Sequence, residues 1–164
     1  MYTLFNAQEV FEIAVQVERN GARFYRKAAE NMADEDTRRE LLELAEQEDQ
    51  HEQTFAEMKQ AVAGEQDESA WNDPGNEAVQ YLQNFASGRV FDITKDSSDF
   101  LTPDTTLREI IEYALERERD SVVFYLGVKE VVPDHLGGIQ VDGIIKQEMG
   151  HIALLSKRLE QVSD

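Results

Sequence analysis

Two of the three histidines in this 164-residue chain stand three residues after a glutamate, as Glu48-x-x-His51 and Glu148-x-x-His151. Side chains three apart on a helix share a face, so each pair can offer a carboxylate and an imidazole to one cation. Two more glutamates lie on apolar stripes, where a solvated charge is out of place. Glu18 falls between Phe11 and Tyr25, and Glu118 between Ile111 and Tyr125, at seven-residue steps. Glu48 likewise falls between Leu44 or Ala45 and Phe55, and Glu148 between Ile145 and Leu154 or Leu155. An ionised carboxylate in an apolar interior is heavily penalised unless it is paired or binds a metal. Four that converge repel one another unless cations lie among them. One Glu-x-x-His is a weak signal. Two of them, each matched by a lone core glutamate on another helix, form the ligand set of di-iron and di-manganese carboxylate bundles. Donors rich in oxygen, with one imidazole per ion, suit iron or manganese better than zinc or copper. The expected cofactor is two iron ions, with manganese or zinc as substitutes.

The helices that must position these residues repeat. AVQVERNGARFY at 14–25 matches ALERERDSVVFY at 114–125, and LAEQEDQH at 44–51 matches IIKQEMGH at 144–151. Both offsets are 100 residues, so a helical hairpin is duplicated and the bundle has approximate two-fold symmetry. Apolar spacing predicts long helices over 7–31, 36–63, 105–132 and 140–162. Asn6 with Glu9, Thr37 with Glu40 and Thr106 with Glu109 read as capping boxes, and Gly64 reads as a stop. Residues 64–104 form a long crossover between the second and third helices, with a turn at Asp73-Pro74-Gly75 and a short helix near 77–87. The expected fold class is all-α, a four-helix bundle, with residues 1–164 as a single domain.

The chain has 34 acidic and 16 basic residues, a net charge of −18. Nucleic acid and anionic membranes are poor partners for such a surface. No cysteine is present, which removes disulfides, zinc fingers and thiolate-bound iron. The first residues lack the basic start and apolar run of a secretory signal, and no window is apolar enough to span a membrane, so a cytoplasmic location is expected. Trp71 and the crossover residues Val79, Tyr81, Leu82, Phe85, Val90 and Phe91 are placed on apolar surface. The crossover residues ask for cover that one protomer does not fully supply, which points to a homodimer. His135, in the turn after Pro133, reads as a surface residue, and Glu52 and Glu116 as solvent-facing.

The motifs around Glu18 and Tyr25 (ERNGARFY), Glu48 and His51, Glu118 and Tyr125 (ERDSVVFY), and Glu148 and His151 resemble the rubrerythrin family of the ferritin-like superfamily. The resemblance covers all four long helices. It implies a ferritin-like bundle with Glu18 and His51 on one iron, Glu118 and His151 on the other, and Glu48 and Glu148 bridging. It also implies that the Tyr25 and Tyr125 hydroxyls bond to ligand glutamates. Two features depart from the family. These 164 residues hold no cysteine for the cysteine-bound iron domain of full-length members, so the resemblance is to the shorter, domain-only branch, and Ser121 stands where the full-length members carry an extra glutamate. The implied activity is reduction of hydrogen peroxide, with electrons from an external donor such as a rubredoxin-like protein. The alternative is a ferroxidase that oxidises ferrous iron with dioxygen or peroxide. A third reading, of another class, is a non-catalytic metal-binding or interaction bundle, in which the core glutamates would be solvated or paired with basic residues; Arg19, Arg117 and Arg119 are their neighbours in sequence.

Overall fold

The computed structural model of the chain describes residues 7–63, 77–86 and 96–162. The expected caps at Asn6 and Gly64, the Asp73-Pro74-Gly75 turn, and Trp71, Val90 and Phe91 lie outside them. Helices α1 (Ala7–Glu30) and α2 (Glu35–Ala63) pack together as one hairpin, and α4 (Leu107–Val131) and α5 (Gly138–Gln161) as a second. Between them come α3 (Glu77–Ala86) and a 3-10 turn, Ser97–Phe100, while another, Asp134–Leu136, joins α4 to α5. At 1.5 Å per residue the long helices run about 36–43 Å. The described residues form no strand.

The helix starts show how local chemistry sets the ends. The helix α4 begins on the capping box read from its sequence: the Glu109 backbone N–H donates to Thr106 Oγ1, and the Thr106 N–H to Glu109 Oε2. Thr106→Ala removes one arm of the box and is expected to cost about 1 kcal/mol in chemical denaturation of the metal-free protein. The start of α2 differs from the reading. Asp34, not Thr37, caps it, accepting from the Thr37 backbone N–H at 2.8 Å and from the Thr37 hydroxyl at 2.5 Å. A full negative charge at a helix N-terminus outcompetes a hydroxyl, and Thr37 is drawn into the first turn and buried. Helix α5 starts earlier than its apolar pattern suggests, because Gly137 adopts φ 118° and reverses the chain there, a conformation that favours glycine.

The core comes in two apolar parts. One joins Val10, Phe11 and Ala14 of α1 with Phe55 and Met58 of α2, Phe124 and Val128 of α4, and Val141 and Ile144 of α5. The other joins Phe24 and Ala28 with Leu41 and Leu44, Ile110 and Ile111, and Leu155. On every long helix, the stretch between these two sets carries a buried glutamate. Helix α3 covers α4: Val79, Leu82 and Phe85 are buried, and the Tyr81 hydroxyl donates to the Val123 carbonyl oxygen at 2.6 Å. The approach depends on Gly127, where a Cβ would come within 2.6 Å of the Tyr81 ring. The cover expected for Val79, Leu82 and Phe85 is thus supplied within the chain. Leu154, offered with Leu155 as a core neighbour of Glu148, is 44% exposed, and Leu155 alone faces inward.

Candidate metal centre

Glu18, Glu48, His51, Glu118, Glu148 and His151 meet midway along the bundle, and none is more than 5% exposed. They fall into two groups, Glu18–Glu48–His51–Glu148 and Glu48–Glu118–Glu148–His151, in each of which one possible ligand atom per residue lies within 4.8 Å of the others. Glu48 and Glu148 belong to both. His51 Nδ1 is 2.7 Å from Glu148 Oε1 and 3.3 Å from Glu18 Oε2. His151 Nδ1 is 3.2 Å from both Glu48 and Glu148 and 3.4 Å from Glu118. The two rings lie nearly parallel, with centroids 5.8 Å apart.

The donor set fits cations. Glu18 Oε2, Glu48 Oε1, Glu148 Oε1 and His51 Nδ1 are buried and make no well-aligned hydrogen bond among the described residues, close as His51 Nδ1 and Glu148 Oε1 lie. Buried polar atoms are rarely left so. Neighbouring arginines do not neutralise the cluster: Arg19 pairs with Glu52 at 2.7 Å, and Arg117 with Asp120 at 2.7 Å. The form of the non-catalytic reading in which the core glutamates are solvated or paired with arginine does not fit these positions. Glu52, expected in open solvent, is instead partly covered by its Arg19 pair, whereas Glu116 and His135 are exposed as expected.

The electrostatics describe a site crowded with negative charge. Burial, then the charges of Glu18, Glu118 and Glu148, raise the Glu48 carboxyl well above the carboxylate range. Burial and the neighbouring Glu148 raise Glu118 to about 8. Glu148 is also pushed up by burial and by Glu18, yet bonds from Glu118, His151 and His51 leave it below the ordinary value. Burial works against charging the imidazoles, but the surrounding carboxylates outweigh it and hold His51 at about 11 and His151 at about 12. Without metal, protons take the place that cations fill.

Polar links around this centre cross between the hairpins. The Tyr25 hydroxyl of α1 donates to Glu118 of α4, and the Tyr125 hydroxyl of α4 donates to Glu18 of α1. Burial, together with these carboxylates, keeps both phenols protonated well past their usual range. His51 Nε2 lies 2.5 Å from Gln147 Oε1, and His151 Nε2 lies 2.9 Å from Gln47 Oε1. Neither glutamine was singled out by spacing, although both fall on the one amide shared by LAEQEDQH and IIKQEMGH.

A cavity of about 50 Å³ opens between α1 and α4 and reaches Glu48, Glu118 and Tyr25, with Gly21 and Ser121 on its walls. Gly21 gave no signal in the sequence because its contribution is a missing side chain: a Cβ there would lie 2.5 Å from Glu48 Oε2. Ser121, in the place of the extra glutamate, turns its hydroxyl to the Arg117 carbonyl oxygen at 3.0 Å. The described helices of the cavity wall leave that space to solvent-sized molecules.

Two paired hairpins with one buried carboxylate per helix and two imidazoles define a ferritin-like bundle. A Thermotoga maritima protein described as ferritin-like and diiron-carboxylate, solved by crystallography, superposes with a TM-score of 0.76, covering 99% of this chain and 100% of its own at 23% identity. Residues 2–59 match the rubrerythrin family model, so the first hairpin is rubrerythrin-like in sequence and the whole chain ferritin-like in fold. No curated protein matches the chain significantly.

Proposed function

We propose that the protein binds two iron ions in this centre and reduces hydrogen peroxide to water, with electrons from a separate donor protein. The observation that carries the reading is that Glu48 and Glu148 belong to both donor groups, while Glu48 Oε1 and Glu148 Oε1 are buried, face imidazole nitrogens and lack a well-aligned hydrogen bond. In this reading Glu18 and His51 hold one ion, Glu118 and His151 the other, and Glu48 and Glu148 span the pair. The reduction takes up two electrons and two protons per peroxide and gives two molecules of water. When bound, the iron pair supplies the electrons and the affinity for oxygen. The chain supplies the rest. The cavity beside Glu48 and Glu118 has room for molecules the size of water or peroxide. Tyr25, on its wall, holds a proton at its phenol oxygen beside Glu118, where a proton is needed as the oxygen–oxygen bond breaks.

A ferroxidase is the second reading, favoured by the net charge of −18, which draws cations to the surface. Metal analysis of protein from iron-supplemented cells, followed by stopped-flow oxidation of the reduced protein, separates the two. Rapid turnover with peroxide, iron being retained, supports the peroxidase. Faster reaction with dioxygen and continued iron uptake support the ferroxidase instead. Tyr25→Phe and Tyr125→Phe are expected to keep both metals and to slow peroxide turnover about tenfold each, a typical loss when an outer partner of a ligand is removed. Unchanged turnover in both variants, measured by peroxide consumption, would remove the tyrosines from the reaction.

A further inference from the structure

Resting on the two-metal reading, we propose that Gln47 and Gln147 are positioning residues that act across the pseudo-two-fold, each orienting the imidazole of the opposite hairpin and so setting the metal affinity of that position. The geometry is reciprocal. Gln47 of α2 meets His151 of α5 at 2.9 Å, and Gln147 of α5 meets His51 of α2 at 2.5 Å. In each case the glutamine oxygen accepts at Nε2, while Nδ1 faces the carboxylates. A ring nitrogen that donates to an amide oxygen must carry hydrogen. A neutral ring bonded in this way keeps its lone pair on Nδ1, the atom aimed at the donor groups. A neutral amide does this without adding another negative charge to a site already raising the carboxyls of Glu48 and Glu118.

The link is crossed in sequence as well. Gln47 precedes Glu48, a member of both groups, and lies on the same helix as His51, yet serves the other imidazole. Loss of Gln47 therefore loosens the position of His151 and leaves that of His51, its own helix neighbour, intact. A residue that merely stabilised its own helix would do the reverse. Gln47 is half-buried and Gln147 exposed, so both sit off the packed core and tolerate substitution.

The full-length variants Gln47→Leu, Gln147→Leu and Gln47→Glu test this by cobalt(II) equilibrium dialysis and by proton NMR of the histidine Nε2–H signals, with and without cobalt. In the wild type both Nε2–H protons are expected to be protected from exchange. Gln47→Leu is expected to lose protection at His151 alone and to weaken one of the two cobalt sites 10–100-fold, a usual range for such outer partners. Gln147→Leu does the same at His51, and Gln47→Glu, which restores an acceptor, restores protection. Equal loss at both histidines, loss at the same-helix histidine, or no loss overturns the proposal. A wild type that takes up no cobalt sinks the two-metal reading and the affinity claim with it, while the metal-free spectra still decide whether the orientation crosses the hairpins.

Discussion

Glu48→Ala combined with Glu148→Ala is expected to yield a folded protein that binds no metal pair. Each of these carboxylates belongs to both donor groups, so their loss leaves one glutamate and one histidine at each position. Two donors are too few to hold a ferrous ion against water and chelators. The apoprotein is expected to survive, because burial and three neighbouring carboxylates already oppose charge on Glu48. The imidazoles are held charged by these carboxylates and can shed their protons when the carboxylates go, so that no unpaired cation is left buried. Truncation to alanine also opens space in a packed interior, so Glu48→Gln with Glu148→Gln is the control that keeps the volume. Both double variants should show the helical circular dichroism of the wild type and less than about a tenth of its iron by elemental analysis, at least the loss that outer-partner changes give. Retention of two metals per chain in either would overturn the assignment of these ligands.

Gly21→Ala is expected to move stability and metal affinity in opposite directions. Gly21 lies inside α1, where alanine is favoured over glycine by about 1 kcal/mol. The new methyl would lie 2.5 Å from Glu48 Oε2. That oxygen ends a flexible side chain, so the contact is relieved by swinging the carboxylate rather than by moving backbone. The metal-free protein should therefore unfold at equal or higher urea concentration. Metal affinity should fall about 10–100-fold in a chelator competition, since a displaced ligand is at least as costly as a lost outer partner. Ser121→Ala, at the equivalent place on α4, removes only a hydroxyl bonded to the backbone and should change neither quantity appreciably. A Gly21→Ala protein with unaltered affinity would mean that Glu48 does not need the space the glycine leaves.

These two residues mark the border of what could be read from the chain. Glu48 was legible because a charged residue interrupted an apolar stripe three positions before a histidine, and the same interruption recurs 100 residues later. Helix period and the cost of burying charge are local rules, and both show in a single sequence. The four long helices and the crossover were legible for the same reason. Gly21 was not, because its role is defined by the carboxylate of another helix, and an absent side chain leaves no periodic mark. Gln47 and Gln147 lie off the apolar face and meet partners on the other hairpin, so spacing within one helix does not single them out. The start of α2 went to Asp34 instead of the Thr37–Glu40 pattern because two sound capping signals competed, and only their energies decide between them. Arg19 and Glu52 lie 33 positions apart, and their pairing depends on how α1 lies against α2.

The exchange of bonds between hairpins bears on how such a protein could come about. A single hairpin associating with a copy of itself through an isologous contact would make each of the four links (tyrosine to glutamate and glutamine to imidazole, each twice) by symmetry alone. Joining the copies end to end changes none of them. It does release the paired positions from having to be identical, and Gly21 opposite Ser121 is a place where the two copies have diverged. Fusion thus turns a symmetric centre into one whose two sides can be tuned separately.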